Sequence, residues 1–300
     1  MSETSRTIVI AGLGLMGGSL ARALRQSGFG ERFIGYGPRE PSLQRGVELG
    51  VIDDYTLDLA DALQQADIFV LCGPTLSASE LLEQLLPLLP AEGGPIITDV
   101  ASVKGDLYRR ALAVAGSMPP RLVLGHPIAG SERSGVDASS AELFANHRVI
   151  LTPVEDNEAA AVSLVREMWL SAGAEVVDMS VERHDAVLAA TSHLPHMLAY
   201  GLVDALAADA DSDEIFRCAA GGFRDFTRIA SSDPTMWRDI AIANRDAVLA
   251  SIDMFSAHLA DLRAAVAAED AQALTDTFTR AKTARDEFAA ILSERGQQPK

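Results

Sequence analysis

The chain has 300 residues, of which 48% are hydrophobic and 22% charged, and its formal net charge is −17. This length and apolar content suffice for the cores of two ordinary domains. The excess of acid argues against nucleic acid or an anionic membrane as a partner, because either would require a basic face. No apolar run approaches the roughly 20 residues of a membrane span, and the N-terminus lacks the pattern of a signal peptide, so we expect a cytoplasmic protein.

The first predicted unit is a strand, a tight turn and a helix. A run rich in β-branched residues, 7–11, leads through Gly12, Gly14 and Gly17 into apolar residues at helical spacing. A GxGxxG turn in this position is typical of dinucleotide sites, whose phosphates meet the free N–H groups of the helix. The alternative is a glycine-rich turn in another α/β fold. We predict that a dinucleotide binds the loop made by Gly12, Leu13, Gly14, Leu15, Met16 and Gly17.

The second predicted strand, residues 32–36, ends where NAD enzymes usually carry an acid for the ribose hydroxyls. Here the chain instead continues with Gly37-Pro38-Arg39. An arginine without the acid tolerates a 2′-phosphate, so Arg39 favours NADP. Alternatively, Arg39 points into solvent and Glu40 or a backbone group meets the ribose. The cofactor is therefore predicted as NAD or NADP.

Strands and helices alternate up to about residue 180, which implies a parallel sheet with chemistry at its carboxyl edge. We predict that residues 1–180 form a Rossmann-type dinucleotide-binding domain of the α/β class. Gly73 and Pro74 follow a buried strand and are predicted to contact the cofactor. The other predicted strands and helices after the second strand are 41–49, 67–72, 76–86, 95–100, 122–124, 148–153 and 174–178.

Residues 125–135 combine three glycines, a proline, an acid, an arginine, two serines and His126. This composition is too irregular for a helix or a strand and too polar to bury without a function, so we predict a loop at the site. An ordinary surface loop that contains a histidine is the alternative.

Residues 181–300 show only helical patterns and are predicted to form a second, all-helical domain. Its long helices are predicted at 186–208, 237–268 and 271–293. His193 and His196 stand three residues apart, which would suit half of a zinc site, structural histidines at a proline-kinked helix, or contacts to a substrate. We expect no metal, because no cysteine or carboxylate stands at ligand spacing.

Five motifs occur along the chain and span nearly all of it: 12–19, 102–104, 125–132, 192–196, and 226–230 with 233–238. Together they resemble the prephenate and arogenate dehydrogenases of tyrosine biosynthesis, in the family's order. The resemblance implies an enzyme that converts prephenate to 4-hydroxyphenylpyruvate, or arogenate to tyrosine, with loss of carbon dioxide and hydride transfer to NAD(P). It also implies a homodimer through the helical domain.

The resemblance assigns roles to individual residues. His126 matches the histidine that takes the proton of the ring hydroxyl, and Ser102 matches the serine that hydrogen-bonds the same hydroxyl. Arg228 matches the arginine that binds the ring carboxylate, a role its fork geometry suits. Further substrate contacts are implied at Ser192, His193, His196, Glu132 and, from the second subunit, Trp237.

Two other functions share parts of this pattern. A β-hydroxyacid dehydrogenase or imine reductase also joins a dinucleotide domain to a helical one, but the hydroxyacid enzymes usually place a catalytic lysine in the helical domain. After Lys104 the chain has only Lys282 and Lys300. A non-catalytic dinucleotide sensor would keep the glycine loop and not need His126. Within the resembled family, Asp233 would suit the amino group of arogenate or would cap a helix.

Overall fold

A computed structural model describes residues 5–90, 92–130 and 133–294. The chain divides into two compact units, Met1–Val248 and Leu249–Lys300. The strands are β1 Thr7–Ala11, β2 Arg32–Tyr36, β3 Asp54–Thr56, β4 Ile68–Leu71, β5 Ile96–Asp99, β6 Leu122–Val123, β7 Gly125–Pro127, β8 Arg148–Leu151 and β9 Glu175–Asp178. The helices are α1 Leu15–Ser27, α2 Glu40–Glu48, α3 Leu59–Gln65, α4 Thr75–Leu85, α5 Gly105–Ala115, α6 Ala159–Ser171, α7 Val181–Leu188, α8 Leu194–Ala207, α9 Ser212–Cys218, α10 Gly221–Thr227, α11 Pro234–Ala243, α12 Arg245–Ala267 and α13 Ala271–Glu294.

The first sheet is parallel, with six strands in the order β3-β2-β1-β4-β5-β6. Its central strand β1 is covered on both faces: Ile8 and Ile10 join one apolar core, and Val9 and Ala11 join the other. This explains why the sequence of β1 is continuously apolar rather than alternating. The strand order reverses between β1 and β4, and ligands bind at the carboxyl ends of the strands on either side of such a reversal.

A second sheet of three strands carries residues that the sequence assigns to a loop. In this sheet β7 runs antiparallel to β8, which runs parallel to β9, and His126 lies opposite Ile150. The predicted loop is therefore wrong for Gly125–Pro127. A glycine and a proline suppress the local strand signal, whereas pairing with a segment more than 20 residues away determines the structure.

Helices α7 and α11 begin a few residues before their predicted starts, and the predicted helices are interrupted at two points. Helices α7 and α8 are joined by a π-helical turn, Ala189–His193, and Pro195, which has no backbone N–H to donate, follows directly in the first turn of α8. The predicted helix 237–268 is interrupted at Asn244, whose backbone leaves the helical region (φ −105°, ψ 31°) between α11 and α12. Both interruptions lie beside the candidate site.

The unit Leu249–Lys300 contains most of α12 and, after a short turn, α13. These helices expose large apolar side chains, among them Met254, Leu259 and Phe278, each more than half exposed. Exposed apolar surface of this kind is typical of an interaction face. Within the described ranges, no helix has the length and apolar character needed to cross a membrane.

Candidate active site

The glycine turn after β1 has the geometry of a phosphate cradle. Gly12 has φ +105°, and a Cβ there would lie 2.8 Å from the backbone nitrogen of Gly73. A Cβ on Gly17 would lie 2.4 Å from the carbonyl oxygen of Gly12, whereas one on Gly14 would meet nothing within 4 Å. Helix α1 has neither a side-chain cap nor an acid in its first turn. These residues fit a dinucleotide, because only glycine allows this close approach and the helix N–H groups have no competing acceptor.

The other residues predicted at the cofactor lie around this turn. Leu13 is buried in the core, so it offers a ligand only its backbone. Leu15, Met16 and Gly73 are half-buried, and Pro74 is exposed at the start of α4. The structure therefore brings together the ends of β1 and β4, as the predicted site requires.

Arg39 is exposed immediately before α2, past the end of β2. The neighbouring Glu40 carboxylate accepts a hydrogen bond of 2.8 Å from the Tyr55 hydroxyl. The acid that could meet a ribose is thus already bonded to β3, while the guanidinium reaches solvent.

His126 begins a chain of three side chains, His126, His184 and Asp185, which we call the imidazole relay. His126 Nδ1 lies 2.9 Å from His184 Nε2, and His184 Nδ1 lies 2.8 Å from Asp185 Oδ1. The Asp185 carboxylate also accepts the backbone N–H groups of Lys104 (2.9 Å) and Gly105 (2.8 Å). These bonds connect Asp185, a residue of α7, to the turn after β5.

The relay fixes the tautomer of each imidazole. An ionised carboxylate only accepts hydrogen bonds, so His184 Nδ1 carries a proton that it donates to Asp185. In neutral His184, Nε2 is then an acceptor, and His126 Nδ1 must donate to it. This leaves His126 Nε2 with a free lone pair, the arrangement a general base needs.

Burial keeps this base neutral. His126 is 8% exposed, and burial lowers its pKa well below 6.5, with further lowering by His184, Lys104 and His193. Burial alone would raise the pKa of Asp185, but the hydrogen bonds from His184 and from the Lys104 N–H bring it below 3.8. A neutral imidazole backed by an ionised carboxylate can take up a proton at neutral pH.

A buried ion pair lies beneath His126. The Lys104 and Asp99 side chains are both fully buried and form an ion pair. Lys104 Nζ also donates to the Gly125 carbonyl (2.6 Å), and the Asp99 carboxylate accepts the N–H groups of Gly125 (3.0 Å) and Ala101 (2.9 Å). Burial drives both groups toward their neutral forms, raising the pKa of Asp99 and lowering that of Lys104, while each charge opposes the shift of the other.

Ser102 lies half-buried in the turn between Asp99 and Lys104. Because the side chains at both ends of that turn bond to Gly125, the turn is fixed against the strand that carries His126. Its predicted role, a hydrogen bond to the same hydroxyl as His126, stays a prediction.

The two histidines of the helical part have different surroundings. His193 is 1% exposed, and its Nδ1 lies 3.0 Å from Asn244 Nδ2, which also donates to the backbone oxygen of Asp185 (2.9 Å). His196 is half-buried and stacks on Trp237, with ring centroids 3.4 Å apart and planes at 18°. The structure thus links His193 to the relay through Asn244.

Trp237 is buried within its own chain rather than presented to another. Its ring is 6% exposed and packs against Val103 and Ile240 in addition to His196. The expectation that Trp237 arrives from a second subunit is therefore corrected: one chain already places it at the histidine pair.

Arg228 follows α10 in a 3₁₀ turn, Arg228–Ser231, and is exposed. Burial lowers the pKa of His196, and the Arg228 charge lowers it further. The backbone oxygen of Ser192 accepts a hydrogen bond of 2.9 Å from His196 Nδ1. Glu132, the remaining predicted substrate contact, lies outside the described residues.

The geometry bears on two alternatives left by the sequence, a metal at the histidines and the role of Asp233. In the part of the chain that the structure covers, no group of three or more histidine, cysteine or carboxylate side chains could hold a metal. The Asp233 carboxylate accepts the N–H groups of Thr235 (2.8 Å) and Met236 (3.0 Å), so it caps α11.

Comparison with known proteins gives the family. The profile described as "Prephenate dehydrogenase, nucleotide-binding domain" matches residues 20–178, and "Prephenate dehydrogenase, dimerization domain" matches residues 180–280. The chain belongs to the prephenate dehydrogenase family. The enzyme class, the Rossmann-type domain with a helical partner and the binding of NAD(P) are thus confirmed.

Relatives of this family are similar over almost the whole chain. A cyclohexadienyl dehydrogenase of Zymomonas mobilis is 37% identical over 93% of this chain and 94% of its own. A prephenate dehydrogenase of Bacillus subtilis is 38% identical over 95% of this chain and 77% of its own. The crystal structure of Aquifex aeolicus prephenate dehydrogenase with hydroxyphenyl propionate and NAD⁺ is 36% identical, with a TM-score of 0.88, over 96% of this chain and 100% of that one.

Three residues of this prephenate dehydrogenase family site escaped the sequence analysis: His184, Asp185 and Asn244. A signal for the first two exists in α7, where Val181, His184, Asp185 and Leu188 form one buried face. Polar residues at the apolar positions of a helix indicate partners inside the protein. Asn244 gives no comparable signal, because its importance lies in the break between α11 and α12.

The burial of His193 predicts a pH dependence of stability. Burial lowers the pKa of His193 from 6.5 to about 4. Between these values the unfolded chain holds a proton that the folded chain lacks, so stability falls as the pH falls through this window. His193→Asn keeps an acceptor for Asn244 but removes the titrating ring. Between pH 7.5 and pH 5.5, we expect its free energy of unfolding in urea to fall by about 1 kcal/mol less than that of the wild type.

The matched control is His258→Asn, which removes an exposed histidine on α12. Equal losses of unfolding free energy in the wild type and His193→Asn would contradict the assigned burial of a neutral ring.

Proposed function

We propose that the chain catalyses the NAD(P)-dependent oxidative decarboxylation of prephenate in tyrosine biosynthesis, with His126 as the general base. The observation that carries this proposal is the imidazole relay, which leaves His126 Nε2 unprotonated in a buried site. The family membership and the glycine cradle at the carboxyl ends of β1 and β4 support the same reaction.

The reaction balances with the groups available. Prephenate carries a ring hydroxyl, a ring carboxylate and a pyruvyl side chain. His126 Nε2 takes the hydroxyl proton while the carbinol hydrogen leaves with its electron pair. A bound NAD(P) supplies the acceptor for that hydrogen. The ring then loses its carboxylate as carbon dioxide, and the electron pair of the broken bond completes the aromatic product.

The remaining predicted residues would bind the substrate around His126. Ser102 would hydrogen-bond the hydroxyl, and Arg228 would bind the ring carboxylate through its two-pronged guanidinium. The side chain of the substrate would face the 192–196 segment, where Ser192, His193 and His196 lie, with Trp237 beneath His196. Glu132 is proposed at the pocket mouth.

The choice of substrate and cofactor forms a finer part of the proposal. Asp233, which would suit the amino group of arogenate, caps α11 through Oδ1, and this structural role accounts for the residue without an ammonium group and supports prephenate. The exposed Arg39 past β2 supports NADP, since it would meet a 2′-phosphate and the adjacent Glu40 is bonded to Tyr55.

The test is a four-way comparison of prephenate or arogenate with NAD or NADP, followed by absorbance of the reduced cofactor. We expect turnover with prephenate, faster with NADP than with NAD. Absence of reduced cofactor in all four mixtures would refute the proposed function.

His126→Asn is the matched variant in the same assay. We expect kcat to fall roughly 10²- to 10⁴-fold, the range for loss of a general base, with little change in cofactor affinity. Turnover at the wild-type rate would remove His126 from the mechanism.

Arg228→Ala tests the proposed carboxylate site. Loss of a charge-assisted, two-pronged contact should raise KM for prephenate roughly 10- to 100-fold while leaving the affinity for the cofactor unchanged. Steady-state kinetics and cofactor fluorescence measure the two quantities. Arg166→Ala, which removes a surface pair with Asp178, is the control and should keep the wild-type KM. An unaltered KM in Arg228→Ala would reject the role.

We also infer that residues from about 181 onward form the substrate and dimerisation domain, and that two chains associate through it. The family's dimerization domain over residues 180–280 and the exposed apolar side chains of α12 and α13 support this. Sedimentation equilibrium at micromolar concentration should give the mass of two chains. A single-chain mass would contradict the inferred dimer.

A further inference from the structure

We propose that Asp99 and Lys104 are positioning residues for the reaction: their buried ion pair holds the backbone of Gly125, and Lys104 also anchors the far end of the imidazole relay, so that one residue sets where His126 Nε2 lies. This inference rests on the proposed function of His126. The reasons are geometric.

Stability alone does not account for this ion pair. Both side chains have no exposed surface. Removing two charges from water is expensive, and a buried pair replaced by apolar residues of similar volume often leaves stability unchanged or improved. A fully buried lysine and aspartate next to a reactive histidine therefore indicate a positioning role for the ion pair.

What they hold is the residue before His126. The Lys104 ammonium binds the Gly125 oxygen and the Asp99 carboxylate binds the Gly125 nitrogen, at 2.6 and 3.0 Å. These two groups of Gly125 connect β7 of the small sheet to the end of β5 in the large one. A Cβ on Gly125 would lie 3.0 Å from the Leu151 side chain, so a larger residue would fit here only if its neighbour shifted.

Lys104 also fixes the opposite end of the relay. Its backbone N–H and that of Gly105 donate to the two oxygens of Asp185. The same residue thus bonds through its side chain to the strand that carries His126, and through its backbone to the carboxylate that orients His184. A displacement of Lys104 would change both ends together.

The Lys104 charge acts on His126 as well. Lys104, His184 and His193 face the His126 ring from the turn after β5, from α7 and from the π-helical turn, and all three lower its pKa. Removal of the ammonium should therefore raise the pKa of His126. Because His126 must be neutral to accept a proton, the acid limb of the kcat/KM profile should move to higher pH.

The experiment uses the full chain with Asp99→Asn and Lys104→Met together, which removes both charges and leaves no unpaired ion in the core. We expect cofactor affinity within twofold of the wild type and a kcat roughly 10²-fold lower, the cost of a base displaced by about 1 Å. NMR titration of the histidine ring protons, with His126 assigned by its absence in His126→Asn, should show a higher pKa for His126.

The matched control is Arg110→Met, which removes a cation of α5 that pairs at the surface with Asp106 and Glu83. Its kcat and His126 titration should equal those of the wild type. If the double variant does not fold, Asp99→Asn alone keeps the size of the pair and is judged by kcat and cofactor affinity, because it retains the Lys104 ammonium and should not raise the pKa of His126.

The outcomes separate this inference from the proposed function. A wild type that turns over no substrate refutes the function, and the NMR titration still tests the link between Lys104 and His126. An active wild type whose folded double variant keeps its kcat, or whose His126 titration does not move, overturns the inference. A merely structural pair would lower stability and leave both readouts unchanged.

Discussion

An ionised carboxylate can only accept hydrogen bonds, and this constraint sets the direction of every bond from Asp185 to His126. Two backbone N–H groups, at Lys104 and Gly105, favour the charged form of Asp185. The donor on His184 and the donor on His126 follow without further assumption. The Asp185 carboxylate, which contacts His184 and not His126, therefore determines which His126 nitrogen can accept a proton.

The groups around His126 determine the charge of its imidazole before and during the reaction. The His126 imidazole is buried and lies near two other histidines and an ammonium. Its burial and these three groups all disfavour a second proton on the ring. The Asp185 carboxylate reaches His126 through His184. His126 is therefore neutral before the reaction, and the relay orients its ring. When His126 accepts the proton, the Asp185 carboxylate stabilises the new positive charge through His184.

The local sequence was enough to predict the glycine turn at the cofactor site but not the surroundings of His126. The glycine turn could be predicted from residues 12–17, and the close approach of Gly12 to Gly73 at the end of β4 is consistent with the glycine at that position. His126 was identified correctly as a candidate, but its strand was taken for a loop because the pairing of β7 with β8 is long-range. His184 and Asp185 were not identified from the sequence, although they share one face of α7 with Val181 and Leu188, and the packing of α7 against the turn after β5 shows them as buried partners.

The expectation about Trp237 failed for a related reason. A motif gives the identity of a side chain and not the chain that supplies it, and the stacking with His196 depends on the angle between α8 and α11. Asn244 shows the same limit: its amide reaches His193 and the Asp185 backbone only because α11 stops one residue earlier.

The π-helical turn at Ala189–His193 gives this segment a tolerance to changes in length. Such a turn holds one residue more than the α-helix it replaces. A deletion of one residue within the turn would therefore restore regular α-helical winding while α8 keeps its orientation relative to α7. A deletion in a regular α-helix has no extra residue to absorb it and rotates the following side chains by about 100° about the axis. The place where His196 meets the face of Trp237 is thus protected against a one-residue deletion in the preceding turn.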